Sequence, residues 1–339
     1  TASNNSALGW SALTTNTTGA QNVAVGTTSL FSNTTGSTNT ALGDAALKEN
    51  TTASNNTAVG KDALRANTTG ASNIAMGSGA LEANTTASYS TAVGFEALKA
   101  NTTGSALVAV GASALDANTT GTSNIGVGNN ALGANTTGAG NTSVGIDALA
   151  ANTTAANNTA VGVNSLKANT TGALNTAMGS GALEANTTGA ENVAIGYLAL
   201  TNNSTGTHNV AVGGSDGSSG ATLGTNSTGS QNTALGMQAL GSNSTAGNNT
   251  GVGFQALKAN TTGTSNSAVG SFSLLSNTTG NQNTAIGQNS LDANTTAANN
   301  TAVGFSALGA NTTGTGNNAF GALALDANTT GNYNVAIGD

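Results

Sequence analysis

One glycine sets the frame of this chain. It follows an apolar residue, most often Val, at Gly9, Gly26, Gly43, Gly60, Gly77 and Gly94, and recurs every 17 residues as far as Gly213. It resumes at Gly236 and keeps the same spacing to Gly338, so the single irregular step is 23 residues long. The stretch around it, Asn56 to Ser72, reads N-T-A-V-G-K-D-A-L-R-A-N-T-T-G-A-S and returns with small edits throughout. A short fixed period marks a solenoid, in which no repeat buries its apolar side alone and each stacks on its neighbours. The expected fold is therefore all-β: a parallel β-solenoid (β-roll or β-helix) of about twenty 17-residue coils, one repeat array over residues 1–339. At about 4.8 Å per coil, twenty coils would make a rod about 95 Å long.

Counting from the Asn of N-T-A-V-G, position 4 is always apolar (Val25, Leu42, Val59, Met76, Phe320) and position 2 is mostly Thr, Val or Ile. Alternation of period two predicts a strand over positions 2 to 4. We expect positions 2 and 4 to face inward and the Ala of position 3 to face out, where its small size would let another chain pack on it. Position 5 is always Gly, as in Gly26, Gly43, Gly60, Gly77 and Gly94, and predicts a corner at positive φ or a close backbone approach. Position 9 is Leu wherever it aligns, and predicts a second short strand or a bend with Leu inward. With position 4 and its neighbours, it would give each coil about three buried large apolar groups.

Position 12 is an Asn column, beginning Asn16, Asn33, Asn50, Asn67, Asn84, Asn101, Asn118, Asn135 and Asn152. Identical residues in stacked coils predict amide ladders, and Asn also tolerates the left-handed geometry of a corner. A second Asn column holds position 1, broken only at Ser90 and Leu107. Each N-T-T or N-S-T triplet is formally a glycosylation sequon, but glycans about 4.8 Å apart would collide and an inward Asn would be unreachable. Proline is absent, which suits a chain whose N–H groups are spent between coils.

Charged residues are 6% of the chain, and the six Lys and Arg form no cluster. That excludes a nucleic-acid footprint. No apolar run reaches the roughly 20 residues of a membrane span. Without cysteine there is no disulfide or thiolate metal site. No cofactor, metal site or catalytic constellation is expected, so the chain reads as a non-enzyme. The one histidine, His208, falls in a variable column. Five of the six basic residues share position 10 with Glu82, Asp116, Glu184, Asp292 and Asp326, a solvated stripe of mixed sign. Six inserted residues between Gly213 and Leu223 predict a surface loop at 214–222.

Position 6 carries the odd large residues, including Trp10, Phe95, Tyr197, Phe254 and Phe305. These are candidate contacts to a ligand such as a glycan, or to another chain. Adjacent Thr residues at positions 13 and 14 would point to opposite sides, leaving one Thr column for water. Such a column suggests an ice-binding surface, which a thermal-hysteresis measurement tests.

The stretches N22-V-A-V-G26, N192-V-A-I-G196 and N334-V-A-I-G338 resemble the head repeats of YadA-type trimeric autotransporter adhesins. The longer pattern N-T-A-V-G-x-x-A-L-x-A-N-T-T-G is similar to arrays in phage tail fibres and bacterial surface proteins. The resemblance implies a left-handed β-roll, three chains side by side, and an extracellular, cell-surface or virion-surface fibre or adhesin shaft. Its partners would be its own copies and a host surface. The alternative is a self-polymerising matrix filament built by end-to-end stacking.

Overall fold

The computed structural model describes residues 2–217 and 220–339. Two of the residues expected in the loop, Ser218 and Ser219, thus lie outside the described residues. The chain divides into two units, residues 1–171 and 172–339. Both are all-β, with no helix among the described residues.

The first unit holds ten three-residue strands: β1 (Ser6–Leu8), β2 (Val23–Val25), β3 (Thr40–Leu42), β4 (Thr57–Val59), β5 (Ile74–Met76), β6 (Thr91–Val93), β7 (Val108–Val110), β8 (Ile125–Val127), β9 (Thr142–Val144) and β10 (Thr159–Val161). From β1 to β10 consecutive strands pair in parallel within the unit, residue i against i + 17, as in Thr57↔Ile74, Ala58↔Ala75 and Val59↔Met76. The second unit holds β11 (Thr176–Met178), β12 (Val193–Ile195), β13 (Val210–Val212), β14 (Thr233–Leu235), β15 (Thr250–Val252), β16 (Ser267–Val269), β17 (Thr284–Ile286), β18 (Thr301–Val303), β19 (Asn318–Phe320) and β20 (Val335–Ile337). Its pairing is also parallel, and β13 meets β14 in register across the insertion, Val210↔Thr233. Each unit is thus a parallel β-solenoid of 17-residue coils.

The strand is turned the other way from the sequence expectation. In every strand from β2 to β19 the middle residue is buried and its two neighbours are half-buried or exposed, as in Thr57, Ala58 and Val59. Positions 2 and 4 face outward, and the Ala of position 3 faces inward. The alternation tells which residues share a face and not which face is inside. The interior decides it. A Cβ built on Gly126 at position 3 would lie 3.2 Å from Cδ1 of Leu115, the position-9 leucine of the preceding coil. Leucine therefore packs directly onto position 3, and only Ala, Ser or Gly fits beneath it. The core of a coil is one large group with small partners, Leu64 with Ala58 and Ala63, all fully buried, and not three large groups. The Ala face is consequently not available to another chain.

Among the described residues no second strand forms. Positions 5 to 12 run as three linked turns: Ala63 N–H donates to Gly60 O (3.3 Å), Arg65 N–H to Asp62 O (3.3 Å) and Asn67 N–H to Leu64 O (3.2 Å). The N–H groups between them reach the next coil, Leu64 to Ala80 O at 2.9 Å and Ala66 to Glu82 O at 3.0 Å. This alternation requires left-handed backbone at positions 7, 9 and 17, with φ of 57° at Asp62, 51° at Leu64 and 60° at Ser72. Left-handed leucine costs roughly 1–2 kcal/mol per residue. Burial of the side chain and the bond to the next coil offset that cost. The corner glycine behaves as expected, with φ of 134° at Gly60. The Asn of position 12 is not left-handed.

The two Asn columns fill the remaining interior. Asn67 Nδ2 donates to Asn50 Oδ1 (2.9 Å) and to Gly70 O (2.9 Å). Asn56 Nδ2 donates to the same Gly70 carbonyl (2.9 Å), and its N–H donates to Asn39 Oδ1 (3.0 Å). Among the described residues no buried side-chain nitrogen or oxygen lacks a partner. An unmade buried bond costs about 1–3 kcal/mol, so these columns fix the register of the stack.

Candidate functional site

The Asn column from Asn16 is internal structure. Asn33, Asn50, Asn67, Asn84, Asn101, Asn118, Asn135 and Asn152 are fully buried, and each donates to the Asn 17 residues before it. Asn16 is half-buried. From Asn33 to Asn311 the Asn of each such sequon is fully buried and closed to a glycosylating enzyme in the folded chain. At the break in the other column, Leu107 is buried and its N–H reaches only Ser90 Oγ at 3.4 Å. Gly26, Gly43, Gly60, Gly77 and Gly94 are backbone corners with φ from 133° to 141° and place no group in a site.

The outer surface carries three regular features. Column 4 forms an apolar strip on the strand face, where Met76 is 44% exposed and Leu235 45%, beside a column 2 that is most often Thr. Threonines at coil position 14, such as Thr69, are exposed, whereas Thr68 at position 13 spends its hydroxyl on Thr85 O at 3.0 Å. One Thr column therefore reaches water. Arg65 pairs along the axis with Glu82 at 2.7 Å, whereas Lys99 pairs within its own coil with Glu96 at 2.6 Å. His208 Nε2 lies 2.8 Å from Glu191 Oε2 on the preceding coil, and both side chains are exposed. No group of three or more His, Cys, Asp or Glu could hold a metal ion among the described residues. No helix is long and apolar enough to cross a membrane.

Trp10, Phe95, Tyr197, Phe254 and Phe305 are all exposed at position 6, one corner glycine away from the apolar strip. The fold does not gather them into one cluster: Trp10 and Phe95 belong to the first unit, and three coils separate Phe254 from Phe305. Phe254 instead pairs edge-to-face with Phe272, ring centroids 5.3 Å apart. Phe272 was hidden in the sequence because position 7 varies freely. The signal was available, since positions 6 and 7 of adjacent coils are neighbours in a stack.

The carboxylates give the pH response. A hydrogen bond from Asn130, then Lys167, hold Asp147 below the ordinary aspartate range. That contribution exists above the unfolded pKa and is lost as pH falls through the folded one. Burial pushes Asp116 and Asp292 up. Their ionised forms are disfavoured in the fold, so acid relieves a cost there. The two signs oppose, and acidic residues number only 13. Thermal unfolding followed by circular dichroism should shift little between pH 7 and about pH 4, the window in which carboxylates protonate.

Comparison with protein-family models and with curated proteins finds no match for this chain.

Proposed function

We propose that the chain is a structural, non-enzymatic element of an extracellular, cell-surface or virion-surface fibre: a stiff spacer or adhesive shaft. Its chains associate side by side through the apolar strand face, as a left-handed homotrimer of the kind the YadA-type resemblance implies. One observation carries this reading. Position 4 is apolar in all twenty strands although it faces outward. Position 6 is comparably exposed, yet it mixes Asp44, Lys61 and Gln288 with Trp10 and Phe305. Exposure alone therefore does not demand apolar residues here. A contact that removes column 4 from water does, and exposed apolar stripes of this kind mark interaction surfaces. A second copy fits, because its own strip repeats at the same coil spacing and bears no charge to desolvate.

Sedimentation velocity and native mass measurement of the purified chain test this. Discrete particles of three chains are expected. A lone chain across the micromolar range would end the lateral reading, and indefinite filaments would favour end-to-end polymerisation.

A further inference from the structure

The insertion, the aromatic pair and an unusual pair of glutamines meet in the second unit. Four successive coils contribute. The loop after β13 supplies Asp216, the next coil Met237 and Gln238, the next Phe254 and Gln255, and the next Phe272. Gln238 Nε2 donates to Asp216 Oδ2 at 3.4 Å, and Gln255 Nε2 donates to Gln238 Oε1 at 2.7 Å. Gln238 is 1% exposed, so a buried amide anchored by the loop holds the outer one in place. Gln255 Oε1 accepts no hydrogen bond among the described residues. An oriented acceptor and a spare N–H thus belong to the residue that follows Phe254 in the chain and shares position 7 with Phe272 of the next coil, with Phe254 37% exposed and Met237 38%.

Phe272 carries the left-handed φ that the fold gives position 7 throughout, 60° against 57° at Leu198 and 61° at Leu323. A flat carbon surface flanked by a fixed amide is the chemistry that recognises a sugar ring: C–H groups stack on the aromatic face and vicinal hydroxyls bond the amide. We propose that Phe254, Phe272 and the Gln238–Gln255 pair form a saccharide-binding site, positioned by the loop through Asp216. The site lies within one chain and stands whether or not chains associate.

Saturation-transfer difference NMR on the intact chain tests it, with lactose, maltose and N,N′-diacetylchitobiose as probes at millimolar concentration. Transfer to ring protons of at least one sugar is expected. Phe254→Ser and Gln255→Ala should each weaken it about tenfold. Trp10→Ser should leave it unchanged, and circular dichroism and sedimentation should be the same for all three variants. Absence of transfer to every probe would overturn the proposal. So would transfer undiminished in Phe254→Ser, or a change of oligomeric state in that variant, which would make the ring pair a packing element.

Discussion

Gly60→Ala is expected to break the stack at the coil it enters. The new Cβ would lie 2.6 Å from both the carbonyl carbon and oxygen of Gly77 and 3.1 Å from the Ser78 nitrogen. All three atoms are backbone of the next coil, so no side chain can turn aside. The φ of 134° is one that L side chains rarely adopt. Backbone strain of this class costs about 1–3 kcal/mol, and separating the coils forfeits ladder bonds as well. We expect a loss of at least about 3 kcal/mol, read as a fall in the denaturant midpoint and as new proteolytic cleavage near residue 60. Gly70→Ala is the control. Position 15 already carries Ala53, Ala87, Ala155, Ala246 and Ala297. A Cβ on Gly70 would also press on backbone of the next coil, at Ala87 O, but φ there is not left-handed and the coils that carry Ala make room at a visible cost. Where position 15 is Gly70, the Thr69 N–H reaches Thr85 O at 3.3 Å, whereas no such bond is made by Thr52 or Thr86 beside Ala53 and Ala87. The control should lose no more than that bond, about 0.5–1.5 kcal/mol. Equal effects at the two glycines would contradict the special demand for glycine at the corner.

The second large effect is on assembly. Leu42→Lys, Met76→Lys and Val110→Lys together place ammonium groups on alternate strands of the outward strip. All three positions are exposed in the single chain, so the fold should survive with its circular dichroism unchanged. Within a lateral contact each charge would be buried without a partner, at several kcal/mol apiece. The association constant should fall by more than about a thousandfold, leaving single chains in the ultracentrifuge. Unfolding of the variant would instead mean that column 4 is internal.

Much of the fold can be read from the repeat. The strands at positions 2 to 4, the positive φ of the corner glycine, the inward leucine and the stacked amides follow from period, composition and side-chain chemistry. The insertion at Gly213 leaves β13 and β14 in register, as an excursion between coils should. What could not be read was the inside from the outside. Hydrophobicity favours burying Val59 over Ala58, and an isolated strand gives no other criterion. The answer lies in a non-local fact, the leucine of the previous coil pressed on position 3. The left-handed leucines were hidden for a related reason. Leu carries no local preference for positive φ, and only the alternating bonds of the turn segment impose it. The pairing of Phe254 with Phe272 required knowing that positions 6 and 7 of neighbouring coils touch. The amide columns were legible as ladders but not as donors to one shared carbonyl, because that convergence depends on the path of the chain between positions 12 and 1.

Cysteine placement tests the outward strip most directly, because the native chain has no cysteine to interfere. Val59→Cys should form covalent dimers on mild oxidation of the assembled protein, while Thr69→Cys, exposed on another side of the coil, should not. A Val59→Cys chain that stays folded, resists thiol reagents and never cross-links would place column 4 inside and contradict the account.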